Sequence, residues 1–155
     1  MKSMTLKALA AAVLISASAL SMAANDGEVR SNEILNSAPE YREAWQDAIA
    51  KQERLPEWVM NLSGAGQPLQ TVEEDGEQYL VGPLCETEEK CKTSRLIVAF
   101  SWDKDDAYGV LVDVPAALPE GKTPSSHATY KWLGKPDEGM QAMLKEQLSK
   151  TQGWY

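Results

Sequence analysis

The two cysteines of the chain, Cys85 and Cys91, bracket the stretch Glu86-Thr87-Glu88-Glu89-Lys90. Thiols at this spacing can oxidise to a disulfide that closes a very small ring. The tip of that ring is polar and charged, three glutamates against one lysine, and it lies between two runs that read as β-strands. A polar loop fixed in this way presents its side chains to something outside the domain. The alternative is a staple that only tidies a hairpin. The bond should contribute roughly 2 kcal/mol for so short a loop, which favours shaping the loop over holding up the fold.

Other residue types that carry chemistry do not assemble into a catalytic set. The one histidine, His127, sits in Ser125-Ser126-His127, which matches no nucleophile-elbow or metal pattern. No glycine-rich phosphate loop is present, and both cysteines are taken by the expected disulfide. The acidic run Asp103-Lys104-Asp105-Asp106 suggests calcium at first sight. Ala107 and Tyr108 fall where an EF-hand loop needs an oxygen ligand and a glycine, so a solvated hairpin turn is the better reading. A binding or inhibitory module without cofactor or metal fits better than an enzyme.

The compartment supports the disulfide. Lys2 and Lys7 form a basic start, Ala8 to Leu20 is small and apolar, and Ser21-Met22-Ala23 supplies the small residues of a cleavage site. The run is too short to span a bilayer. Residues 1–23 are therefore expected to be a cleaved secretory signal, with residues 24–155 forming a single periplasmic domain. Removing residues 1–23, which carry two lysines and no acid, takes the formal charge from −8 to −10. That balance argues against nucleic acid and anionic membrane surfaces and suits a cationic protein partner.

The elements that must hold the loop follow from periodicity. Residues 24–36 read as polar and loose. Ser37-x-x-Glu40 has the form of a capping box, and Tyr41, Ala44, Trp45, Ala48 and Ile49 give one face of a helix running to about Gln52. Pro56 turns the chain, Trp58 and Val59 anchor it, and Asn61 to Pro68 is a loop. Thr71–Glu73 and Glu77–Val81 read as strands joined by a tight Asp75-Gly76 turn. Arg95 to Trp102 is apolar at nearly every position, so both its faces should be covered. Ala107–Val114 returns as a strand, Pro115–Pro124 is irregular, and His127–Leu133 is a further strand with Tyr130 and Trp132 on one face. Asp137 caps a last helix with a stripe of Met140, Met143, Leu144 and Leu148, and the Gly153-Trp154-Tyr155 tail is a rim contact. The order predicts an α+β fold, an antiparallel β-sheet with helices packed on its faces and a protruding disulfide loop.

Leu55-Pro56-Glu57-Trp58-Val59, Pro68-x-Gln70-Thr71-Val72, Tyr79-x-Val81, the cysteine loop and Arg95 to Trp102 occur in series. Together they resemble the inhibitor of vertebrate lysozyme (Ivy) family of exported bacterial proteins. The similarity covers about Ala38 to Trp102, and Trp132-Leu133 and the final helix keep the order. The resemblance implies a homodimer that plugs the active-site cleft of c-type lysozyme, or of a related lytic transglycosylase, with the loop Cys85, Glu86, Thr87, Glu88, Glu89, Lys90 and Cys91. In the family the loop reads Cys-Lys-Pro-His-Asp-Cys and its histidine meets the catalytic carboxylates. Here the loop is one residue longer, lacks histidine and proline, and sums to −2. The alternative is an Ivy-like periplasmic binding protein that has lost lysozyme inhibition with that histidine.

Overall fold

A computed structural model describes residues 29–151 and Trp154. The expected signal, residues 1–23, and the tail residues Gly153 and Tyr155 lie outside the described residues. The helices are α1 (Ile34–Ser37), α2 (Pro39–Ile49), α3 (Glu57–Asn61), α4 (Pro124–His127) and α5 (Glu138–Ser149). The strands are β1 (Ala65–Gly66), β2 (Gln70–Glu74), β3 (Glu77–Cys85), β4 (Ser94–Ser101), β5 (Ala107–Asp113) and β6 (Thr129–Leu133). They form one antiparallel sheet in the order β3-β4-β5-β6, and β1 and β2 share the outer edge of β3. The fold is α+β, as the order of elements implied.

β4 lies at the centre and shows why an uninterrupted apolar run was needed. Alternate residues of a strand point to opposite faces. Leu96, Val98 and Phe100 join Tyr41, Ala44 and Trp45 of α2 in one core. Ile97 and Ala99 join Met140, Met143, Leu144 and Leu148 of α5 in the other. None of these five β4 side chains is more than 1% exposed. Trp45 is fully buried, tilts against Phe100 at 5.9 Å between ring centroids, and donates its indole N–H to the Val59 carbonyl at 3.0 Å. That bond satisfies the ring's polar atom inside an apolar layer, and it is how Trp58-Val59 anchors the chain. Asp137 caps α5, its Oδ1 accepting from the Met140 N–H at 2.9 Å. Asp75 and Gly76 both have positive φ, +53° and +80°, the requirement of a tight two-residue hairpin turn.

Other expectations need correcting. Ser37 does not cap α2: it ends α1, and its hydroxyl donates to the Ile34 carbonyl at 2.6 Å. Ala38 takes the cap position and Pro39 the first turn, where its missing N–H costs nothing. Pro56 turns the chain and then opens α3, which ends on Leu62 at φ +47°. The segment Val29–Asn36 is tied rather than loose. β2 ends its pairing at Val81 and β1 begins at Leu84, so the edge of β3 is open at Gly82-Pro83. Ser31, fully buried, fills that opening. Its hydroxyl donates to the Pro83 carbonyl at 2.6 Å and accepts from the Gln67 N–H at 3.1 Å. Proline is tolerated inside β3 because its missing donor falls in the gap. His127 belongs to α4 rather than to β6, and Trp154 is buried in the α5-side core instead of lying on a rim.

Candidate functional site

The loop grows out of the two central strands. Cys85 is the last residue of β3 and is 2% exposed, whereas Cys91 lies half-buried in a single 3₁₀ turn, Glu89–Lys92, just before β4. The two are bonded, with their Cα atoms 5.3 Å apart. The five residues between them, Glu86, Thr87, Glu88, Glu89 and Lys90, are all exposed. Their backbone is shaped by short-range bonds: the Lys90 N–H meets the Thr87 carbonyl at 3.1 Å and the Cys91 N–H meets Glu88 O at 3.4 Å. Lys90 Nζ lies 3.0 Å from Glu86 Oε2. The loop's single cation is thus folded back on one of its three acids, and Glu88 and Glu89 carry the free charge at the tip.

Two residues outside the loop hold its ends, and the sequence reading had missed both. Gly64 packs against the backbone of Cys85 so closely that a Cβ there would stand 2.8 Å from the Cys85 carbonyl carbon and nearer still to its oxygen. Arg95, the second residue of β4, donates to Thr151 Oγ1 and, at 3.5 Å, to the Cys91 carbonyl. Burial draws its pKa below the ordinary guanidinium value. A charged residue at an inward position of an otherwise apolar strand was the available signal for Arg95. Nothing local marks Gly64, because the contact is made across the sheet edge.

The remaining polar groups serve other ends. The Ser126 hydroxyl donates to the Thr123 carbonyl at 2.6 Å and lies 2.9 Å from His127 Nδ1. With the hydroxyl proton already engaged, Nδ1 acts as donor to this oxygen, opposite to a general base taking a proton from serine. Asp103 organises the β4–β5 turn: its Oδ1 accepts from the Ser101 hydroxyl at 2.7 Å and the Asp105 N–H at 3.0 Å. The Asp105 N–H, then Ser101, holds the Asp103 carboxyl below its ordinary value. At the end of the sheet away from the loop, Glu74, Glu77, Asp106 and Asp137 surround an acidic cleft of about 530 Å³ with Tyr79 and Tyr108. Tyr79 donates to Glu77 Oε2 at 3.1 Å, and burial, then Glu77, pushes its phenol well up. Burial, then Asp103, Asp105 and Glu77, raises the Asp106 carboxyl. No helix among the described residues is long and apolar enough to cross a membrane.

The family model described as inhibitor of vertebrate lysozyme (Ivy) matches residues 40–150. An uncharacterized protein of Pseudomonas aeruginosa is 51% identical over 140 residues, covering 90% of each chain. An uncharacterized protein of Yersinia pestis is 40% identical over 119 residues, 75% of each chain. A Pseudomonas aeruginosa protein named inhibitor of vertebrate lysozyme is 33% identical over 117 residues, covering 75% of this chain and 76% of its own. The matched span runs from α2 through α5 and includes the whole disulfide loop and both strands that carry it. By both the family model and the relatives, this chain belongs to the inhibitor of vertebrate lysozyme family.

Proposed function

We propose that the protein is an exported, periplasmic inhibitor of a glycan-cleaving enzyme, binding the active-site cleft of c-type lysozyme or a related lytic transglycosylase through the Cys85–Cys91 loop. The observation that carries this reading is the loop itself: five exposed side chains on a ring closed by a disulfide and rooted in the two central strands. A ring so held loses little conformational freedom on entering a cleft, which is the advantage of preorganisation. Family membership makes lysozyme the first target to try.

The acidic loop dictates how binding works. Glu88 and Glu89 face a cleft whose own catalytic groups are carboxylates, so either Lys90 swings from Glu86 to donate into it or a carboxyl takes up a proton. Lys90 and Glu86 are 56% and 44% exposed, and a pair so open to water is worth at most about 0.5 kcal/mol. Releasing Lys90 is therefore easy. Without residues 1–23 and their two lysines the chain carries a formal charge of −10, which steers it toward a basic enzyme and raises the association rate. A homodimer would bring two loops to bear.

The test is lysis of a cell-wall suspension by c-type lysozyme in the presence of the purified protein, repeated with a lytic transglycosylase. Saturable inhibition of either supports the reading. Full activity of both enzymes at high protein concentration would overturn it. Mass spectrometry of the protein from the periplasm should give an N-terminus near Ala24, and gel filtration with light scattering should give twice the chain mass.

A further inference from the structure

Behind the loop lies a second feature, distinct from its exposed tip. A cleft of about 290 Å³ opens between the ends of β4 and β5, the segment that follows β5, and Trp154. Its walls are largely apolar, built from Val112, Val114, Leu118 and Trp154, with Lys92 and Arg95 as its cations. Trp154 is fixed there, its carbonyl accepting from the Ser125 N–H at 2.9 Å and its N–H meeting Thr151 O at 3.2 Å.

Arg95 is the anomaly. It lies on the strand face that carries Ile97 and Ala99 into the α5-side core, and it is itself half-buried. Its partners, the Thr151 hydroxyl and the Cys91 carbonyl, are both neutral. The one ion pair among the described residues is Lys90–Glu86. A partly desolvated guanidinium with no anion paired to it among the described residues is costly to keep, and burial already draws its pKa down. Its planar fork fits a carboxylate with two parallel hydrogen bonds, and the apolar walls disfavour a small, strongly hydrated ion. The volume sits at the lower end of the range for small-molecule clefts.

We propose that this cleft binds a small monocarboxylate with an apolar body, the carboxylate on Arg95 and the body against Val112, Val114, Leu118 and Trp154. The site is independent of the inhibitory reading. Because Cys91 also lines the cleft, its occupancy reads out at the root of the loop.

The probe pair is 3-phenylpropionate and its neutral amide, 3-phenylpropanamide, titrated into the purified protein and followed by ¹⁵N–¹H spectra. The acid should shift the Arg95 side-chain Nε–H, the Trp154 indole and the amides of Val112, Val114 and Cys91. It should bind at least about tenfold more tightly than the amide, the least that one charge-assisted hydrogen bond provides. Arg95→Gln should abolish the preference for the acid, and Arg95→Lys should keep part of it. Should Arg95→Gln fail to fold, the acid–amide comparison on the unaltered protein still decides. Equal affinities, shifts mapping elsewhere, or no saturable shift at millimolar acid would each overturn the proposal.

Discussion

Replacing Glu86-Thr87-Glu88-Glu89-Lys90 by Lys-Pro-His-Asp shortens the loop by one residue, removes three glutamates and supplies an imidazole. The loop charge changes from −2 to zero with the ring neutral. The graft gives up the Lys90–Glu86 pair, worth at most about 0.5 kcal/mol at 56% and 44% exposure, so the free protein should hardly change in stability. In a complex with an acidic cleft the gain is larger. A charge-assisted hydrogen bond from the ring contributes about 1.5–3 kcal/mol, one to two orders of magnitude in affinity. Each removed carboxylate about 8 Å from a cleft acid relieves a further ~0.5–2 kcal/mol for an effective dielectric between 80 and 20. The assay is cell-wall lysis by c-type lysozyme titrated with each version. Glu88→His, which keeps the loop length, separates the effect of the ring from that of the shortening. The graft should inhibit at least tenfold more strongly than the unaltered protein, with Glu88→His in between. If the unaltered protein already matches the graft, the acidic loop is fully competent and the charge argument is refuted. If neither binds, lysozyme is not the target.

Other perturbations address the scaffold. Changing both Cys85 and Cys91 to serine should cost about 2 kcal/mol and leave a cooperative urea unfolding transition, while inhibition falls sharply; global unfolding without denaturant would show that the bond holds the fold. Gly64→Ala sets a Cβ against the Cys85 backbone, where no side chain can yield, so about 1–3 kcal/mol should be lost and inhibition weakened with the disulfide intact by peptide mapping. Unchanged stability would mean the β1 edge shifts freely. The Asp106 carboxyl is raised by burial and by its acidic neighbours. Its contribution is therefore full below the ordinary aspartate value of about 3.9 and is lost as pH rises through the higher folded value. Asp106→Asn should accordingly melt higher than the unaltered protein at pH 7 and equally at pH 3; a lower melting temperature at pH 7 would contradict the cause assigned to the shift.

What could be read from the chain was what a single element reveals about itself. The two-faced burial of β4 is written in Leu96 to Phe100, and α5 in Asp137 and the Met140-Met143-Leu144-Leu148 stripe. Asp75-Gly76 names its own turn. The failures occurred where a distant group decides. Ser37-x-x-Glu40 has the letters of a capping box, but Ser37 was already committed to the Ile34 carbonyl of a preceding helical turn. Val29–Asn36 looks loose because the gap that its Ser31 closes lies 52 residues away, at Pro83. Trp154 reads as a rim contact until the α5-side core is in place around it. In the candidate site the disulfide was legible and the exposure of its tip followed from it. The Glu86–Lys90 pair needed the 3₁₀ turn, and the support from Gly64 and Arg95 needed the sheet.

The way the loop is mounted bears on how such a protein can change its prey. Its roots are the ends of β3 and β4, locked in register over six residue pairs from Tyr79↔Ser101 to Leu84↔Leu96, yet the five side chains between the cysteines take no part in either core. Exchanging those side chains leaves the folding free energy nearly untouched, because surface changes away from caps, cores and strained turns are usually worth less than about 0.5 kcal/mol. The ring therefore behaves as an interchangeable cartridge. If target recognition lies in the loop, as proposed above, a lineage facing a new wall-degrading enzyme can rewrite five letters between two cysteines without first acquiring a more stable scaffold.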